Sequence, residues 1–573
     1  MIAFVVFISI VVLAAGYLTY GRILARWLKL DDSRATPACT MNDGVDYVPA
    51  KAPLLLGQHF SAIAAAGPIV GPILAGIWFG WAPALLWIVL GAIFIGGVHD
   101  FLSLIASVRH RAASIGEIVK RYLSRTSQIL FLIFVWLALV YVIIAFTDIT
   151  AQTFTSVIAN NAFGPGVAVS SFLYLLLGLL MGVVLFKMNM GLGRATAFFL
   201  PLVFLVIWLG TRLPQPVVTS LLAVHVKQWE IVLLVYCFIA SLLPMWLLLQ
   251  PRGYLGGWFL YITMAVALFG AAFGGFRIEY PAFNVDGLRS LANGKSLIPI
   301  LFITVACGAC SGFHGIVASG TTSKQICRES DTRTVGYGAM ILEGLVAVLA
   351  LATLMIIPKG SDSLRTDPNI IYGTGLANYL KLVGINFNIA LAFALLAFST
   401  FVYDTLDVCT RLARYILQEL FGWQSWPGRI AATCITLLVP TAFLMLAREK
   451  AYLVAWPIFG TSNQLLASLT LLAVSVWLIK TGRNALFALL PMAFMLVMTL
   501  WSLVLQIVPF ITAVASGTNA APDTAISGVC GSVLLVLSVW LLVEAVRILS
   551  RRRQTGTPSA PEASRAGGPS EGA

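Results

Sequence analysis

Long apolar runs separated by short charged connections fill this chain from Ile2 to about residue 547. A helix needs about 17–25 apolar residues to cross a bilayer. Fifteen such runs are read, at 2–20, 54–78, 82–108, 128–158, 167–187, 194–212, 229–249, 255–275, 297–319, 334–357, 386–408, 428–447, 453–479, 485–511 and 525–547. Kinks or re-entrant pieces inside the longest runs widen the range to 14–18 crossings. Charged residues make up 10% of the 573, against about 25% in a soluble chain. The expected fold class is therefore an all-α polytopic membrane protein, with the lipid bilayer as its solvent. In that setting a net charge of +13 reflects orientation, and no nucleic-acid partner is expected.

The basic residues divide unevenly between alternate connections. With the N-terminus outside, 26 of the 36 Lys and Arg fall on the inner side, five of them in 21–53 and five in 109–127. Inner connections carry such an excess, so the C-terminus is expected in the cytoplasm and the N-terminus in the periplasm. Arg252, Arg411 and Arg414 are counted as inner charges, and Arg448 and Lys450 stand against the rule. The first run is no signal peptide, because its charges, Arg22, Arg26 and Lys29, follow it. Ser114 and Glu117 match a capping box that would open a short basic surface helix. The tail from 548 is basic, then rich in Pro, Ser, Gly and Ala, and is expected to be disordered. Eight cysteines are scattered. Cys307 and Cys310 form a CxxC without a second Cys/His pair nearby, so packing is expected and no metal.

Two runs break their own helix. The run "GQHFSAIAAAGPIVGPILAG" holds Gly67-Pro68 and Gly71-Pro72. The run at 229–249 holds Pro244. Pro removes a backbone donor, and freed backbone groups inside a bilayer must face protein, water or a ligand. Secondary transporters use such breaks near the midplane, where helix N-termini attract anionic groups and free carbonyls bind Na⁺. Five runs separate the two breaks in the order. That spacing suggests two inverted five-helix repeats in a leucine-transporter-like core, spanning 54–212 and 229–408 within 54–408. An N-terminal span and loop (1–53) would precede this core, and a C-terminal membrane region (409–547) would follow. In that fold a cation can sit between the runs at 54–78 and 297–319.

Polar residues inside spans are costly and therefore mark candidate sites. They include His59, His99, Asp100, Asp148, Ser241, His314, Ser319, Thr321, Thr322, Glu343, Asp404, Asp407 and the "GTSNQ" of 460–464. Each also has a plain structural reading. Ser and Thr bond their own helix, histidines link helices, and Asp407 with Arg411 fits an i,i+4 ion pair.

Several stretches resemble one known family. "GVDYVPAKAPLLLGQHFSAIAAAGPIVGPILAG", "LLPMWLLLQPRGYL", "ACGACSGFHGIVASGTTSKQ", "GYGAMILEGLVAVLAL" and "WPIFGTSNQLLASL" are similar to motifs of the carbon starvation protein A (CstA) family. The resemblance runs from about residue 5 to about 510. It implies a bacterial inner-membrane transporter of the amino acid–polyamine–organocation superfamily. It also implies uptake of pyruvate with protons, and of peptides during carbon starvation. It transfers no site residues.

The leading expectation is a symporter for pyruvate, another small carboxylate or a peptide, with H⁺ or Na⁺ as coupling ion and no other cofactor. The break that runs from Gly67 through Pro68 to Gly71 would present freed N–H groups to the carboxylate, with Ser241 and the break at Pro244 facing it. Ser319, Thr321 and Thr322 would offer oxygens to a cation. Asp100, Asp148, His314 or Glu343 would carry a proton. No GxxxxGK[ST] motif is present, which argues against ATP as the driving force. A membrane-embedded enzyme is disfavoured, since the five His form no HExxH and GxSxG is absent. A channel or a nutrient sensor is the remaining alternative.

Overall fold

In lipid every backbone N–H and C=O must be satisfied within its own element or by a neighbour, and this chain solves the problem with helices. The computed structural model describes residues 1–43, 47–64, 66–158, 161–244, 246–284, 297–361, 364, 366–423, 425–447, 450, 452–518 and 522–554. Among them the only sheet is a two-stranded ribbon, Val157–Ile158 with Asn161–Ala162. Twelve of the described helices are long and apolar enough to cross a membrane, or up to fourteen if each of two bent pairs is one span.

The lower number has local causes. The run read at 54–78 is a bent pair, Ala52–Ile63 and Gly67–Phe79, with an angle of 46° between its halves. Pro68 lacks the N–H that would bond Ala64 O, so the helix stops at Ile63 and restarts at Gly67. The run at 297–319 is also in two pieces, Leu297–Thr304 and Gly312–Gly320, with a non-helical stretch at 305–311. No sequence signal marked that second break. Pro244 lies between two helices, Val226–Leu242 and Leu249–Phe273, in the connection that joins them.

Two runs of elements share one layout. The first is the broken pair 52–79, then Trp81–Gly91, a π-turn at Ala92–Gly96 and Gly97–Arg109. A short helix, Ile115–Tyr122, precedes the long Arg125–Phe154, Phe163–Phe186 and Leu192–Gly210. The second is the broken segment 297–320, a π-turn at Arg333–Tyr337 and Gly338–Met355. A shorter helix, Pro368–Lys381, precedes the long Phe387–Phe421, Trp426–Leu446 and Tyr452–Lys480. The Val226–Leu242 and Leu249–Phe273 helices lie between the two runs in sequence.

The broken helices and their π-turn partners pack together. Gly67–Phe79 lies against Gly338–Met355, Gly97–Arg109 against Gly312–Gly320, and Leu297–Thr304 against Gly67–Phe79. Ser114 Oγ accepts from Glu117 N at 3.2 Å and starts the short helix Ile115–Tyr122, as the capping pattern predicts.

Two boundaries move. The run read at 386–408 continues to Phe421, where Gly422 in the left-handed region (φ 70°) ends it. Arg411 and Arg414 are therefore buried in a helix and are not loop charges. The last helix reaches Gln554, beyond the expected limit at 547. Arg448 and the tail from 555 lie outside the described residues.

Candidate functional site

The two breaks meet. The backbone at Gly67 and Gly71 approaches the second break so closely that a side chain would not fit. A Cβ on Gly67 would overlap Cys307 Sγ, and one on Gly71 would lie 2.5 Å from Thr304 O. Gly308 sits 3.7 Å, measured from such a Cβ, from Pro68 Cα. The N-terminal turn at Gly67 offers less than its position promised. Pro68 has no N–H, and Ile69 N and Val70 N already donate to Ala66 O at 3.1 and 2.9 Å.

The second break is held by side chains from outside it. Its carbonyls accept from Trp87 Nε1 (Val305 O, 3.2 Å), Trp456 Nε1 (Thr304 O, 3.4 Å) and Gln464 Nε2 (Phe302 O, 2.5 Å). Asn463 Oδ1 accepts from Phe313 N at 2.9 Å, satisfying a first-turn donor of Gly312–Gly320, while its Nδ2 donates to Ser311 Oγ at 3.0 Å. The "WPIFGTSNQL" motif is thus the brace of the second break.

A buried chain of ionisable groups crosses the helices around these breaks. Asp100 holds one imidazole on each oxygen: His99 Nδ1 at 2.7 Å from Oδ1 and His314 Nδ1 at 2.7 Å from Oδ2. His314 Nε2 lies 3.1 Å from Glu343 Oε2. All four side chains are fully buried. They come from Gly97–Arg109, Gly312–Gly320 and Gly338–Met355. His314 begins three residues after the 305–311 stretch, and Gly344, beside Glu343, faces Gly308 O. His59, on the first half-helix, pairs through Nδ1 with Thr322 Oγ1 at 2.8 Å. The second ring nitrogens of His59 and His99 have no hydrogen-bond partner, and the His314 Nε2–Glu343 Oε2 approach is a close ionic contact without hydrogen-bond alignment. An imidazole with a carboxylate at each nitrogen can take a proton on one side and release it on the other.

The remaining predicted residues lie elsewhere. Asp148 accepts from Tyr452 N at 2.6 Å and Gln152 Nε2 at 3.3 Å, and so caps the start of Tyr452–Lys480. Ser319 and Thr321 donate to carbonyls of their own helix, Ile316 O and Val317 O. Ser241 donates to Phe238 O and faces Thr433 Oγ1 at 3.4 Å. The carbonyls beside Pro244 are occupied: Arg411 Nη2 donates to Ala240 O and Leu243 O at 2.8 Å each, and Arg414 donates to Ser241 O. Arg411 therefore does not pair with Asp407.

The partner of Asp407 is Arg252, which the sequence reading put in a loop. Arg252 is fully buried and reaches Asp407, Tyr236 OH and Asp404, the last at 2.7 Å. Its own carbonyl accepts from Tyr174 OH at 2.8 Å. Its setting in "LQPRGYL" reads as a turn, which hid it. The pairing of Asp404 and Asp407 one turn apart, on the face of one helix, was the available signal.

The model of the family described as "Carbon starvation protein CstA" matches residues 1–363 and 360–502. The chain belongs to the CstA family. A peptide transporter CstA of Helicobacter pylori is 33% identical over 567 residues, covering 87% of this chain and 81% of that protein. The pyruvate/proton symporter BtsT of Escherichia coli is 30% identical over 594 residues, covering 88% and 81%. CstA of Bacillus subtilis, also named a peptide transporter, is 30% identical over 95% of this chain and 96% of its own length. Among solved structures, a manganese transporter of Eremococcus coleocola aligns with a TM-score of 0.45 and 12% identity, over 89% of this chain and 99% of that one.

Proposed function

We propose that this member of the CstA family is a secondary active transporter, not an enzyme, that imports pyruvate, another small carboxylate or a peptide with protons across the bacterial inner membrane. The observation that carries the reading is the buried chain His99–Asp100–His314–Glu343 beside two apposed helix breaks. Ionisable groups this deep in a membrane protein are costly and are kept for a pathway or a relay. We favour protons over Na⁺ because the carboxylate–imidazole cluster supplies buried titratable groups, whereas Ser319 and Thr321, whose hydroxyls donate to their own helix, bring lone pairs but no charge. The names of the relatives, peptide transporter and pyruvate/proton symporter, agree with this substrate class.

The shared layout of the two element runs supports a five-plus-five inverted core, with its repeats redrawn as 52–210 and 297–480. The broken segments 52–79 and 297–320 are then equivalent, and their breaks pack against each other at Gly67 and Cys307. Alternation of the basic connections starts the first broken helix inside and the second outside, as inversion requires.

The test is uptake of labelled pyruvate and dipeptides by proteoliposomes, with an imposed proton or sodium gradient and without one. Accumulation driven by the proton gradient is expected. Flux that only equilibrates, whatever the gradient, would point to a channel. Absence of uptake by folded protein would remove these substrates.

A further inference from the structure

A cavity of about 510 Å³ lies among the connections, with no residue of either helix break in its lining. Four connections form it, from 34–40, 109–122, Glu329 and 477–483. All four belong to connections that the charge pattern places on the cytoplasmic side. Arg34, Arg109, Arg111, Arg121 and Arg483 line it, against one acid, Glu329.

That acid is already engaged. Glu329 accepts from Arg109 Nε at 3.0 Å and Nη2 at 2.8 Å, and lies 3.8 Å from Arg34. Arg109 also donates to Leu28 O and Lys29 O, as Arg483 does to Leu28 O. After these bonds Arg109 Nη1 is left without a partner, on a side chain only 8% exposed. A buried guanidinium N–H with no acceptor costs free energy unless a ligand supplies one. Arg111 and Arg121 are exposed, and no ion pair joins either to a described residue. Arg111 and Ala112 both hold the left-handed conformation (φ 61° and 56°), which bends the lip.

We infer that this cavity is a binding site for a phosphate-bearing anion. Five arginines line the cavity with Glu329, and among the described residues only Arg34 has a further acid, Asp31 at 3.4 Å; that excess suits a multiply charged group better than a monocarboxylate, and the guanidinium fork matches phosphate geometry. Two sources share that chemistry: the headgroup of an anionic lipid of the inner leaflet and a soluble organic phosphate. A bound anion would tie the end of Gly97–Arg109 to the end of Tyr452–Lys480 through Arg109 and the loop at Arg483. The inference does not depend on the transport reading, since it concerns binding alone.

The test uses the full chain in neutral detergent, with Arg111→Gln/Arg121→Gln beside the unaltered protein. One arm titrates sodium pyrophosphate by calorimetry. The other counts phosphatidylglycerol retained in native mass spectrometry after exposure to phosphatidylglycerol and phosphatidylcholine mixtures. Saturable binding in at least one arm is expected, weakened about tenfold or more by the double variant and by salt. The Arg111→Lys/Arg121→Lys variant should keep most of it. Pyrophosphate alone would identify a soluble ligand, and phosphatidylglycerol alone a lipid. No saturable binding in either arm, or equal binding by the glutamine variant, would overturn the inference. Arg34→Gln, at another wall of the cavity, gives the same readout if the double variant does not fold.

Discussion

At Gly67 the approach of two backbones leaves no room for a β-carbon, which would lie 2.6 Å from Cys307 Cβ as well as overlapping Sγ. Carbon atoms pack at about 3.5–4.0 Å. Gly67→Ala should therefore lower stability by about 1–3 kcal/mol through overpacking, read as a drop in thermal midpoint, with slower transport. Adding Cys307→Gly should recover much of both, and a Gly67→Ala protein as stable and active as the parent would refute the close approach. The same scale shows what a sequence reveals about a site and what it hides. Asp100, His314 and Glu343 stood out one by one because ionisable residues in apolar runs are few. Their meeting was not legible, because Asp100 and His314 are 214 residues apart. Asp148 carried the same signal, and in the structure it lies apart from that cluster and accepts from Tyr452 N at the start of Tyr452–Lys480.

Between elements, buried charge fixes helices to one another. Arg252 joins Leu249–Phe273 to Phe387–Phe421 through Asp404 and Asp407, with Tyr236 of Val226–Leu242 as a third anchor. Arg252→Met would strand two buried carboxylates, and removing one partner of such a network costs about 3–5 kcal/mol. The expected result is a large loss of thermal stability. Combining it with Asp404→Asn and Asp407→Asn should restore most of that loss, and failure to do so would show that packing, not charge, is at stake. A second element-scale prediction concerns the connection after Gly97–Arg109. His110 Nδ1 is 2.6 Å from Ala106 O and Nε2 is 2.8 Å from Tyr122 OH, and burial holds its pKa below the usual imidazole value. The unfolded chain takes up the proton first, at about pH 6.5. Stability from neutral His110 is thus present above that pH and lost as pH falls through the lower folded value. Thermal midpoints measured from about pH 7.5 to about 5.5 should fall, and His110→Gln should flatten the slope; parallel slopes would contradict this. The helix breaks divide in the same way between legible and hidden. Gly-Pro pairs announced the first one, because proline removes a specific bond. The break at 305–311 has one glycine and no proline. Side chains of distant helices, Trp87, Trp456, Asn463 and Gln464, satisfy it, and no local rule could locate them. Pro244 announced a break in a span but marks a connection whose carbonyls two arginines occupy.

In the whole molecule two broken helices pack at their breaks, with the buried cluster of His99, Asp100, His314 and Glu343 beside them and the rest of the chain as scaffold. Composition was enough to establish membrane class, and the charge pattern suggested an orientation. The expected fold set the runs at 54–78 and 297–319 side by side across about 220 residues, but that they meet break against break emerged only from packing. As the acceptor for both imidazoles, Asp100 is the residue proposed to couple protons to substrate. The most direct measurement compares pH-gradient-driven accumulation of labelled pyruvate with its equilibrium exchange, in proteoliposomes of the parent and of Asp100→Asn. The account predicts that exchange persists in the variant while driven accumulation is lost. Accumulation by Asp100→Asn at the parent level under the same gradient would contradict it.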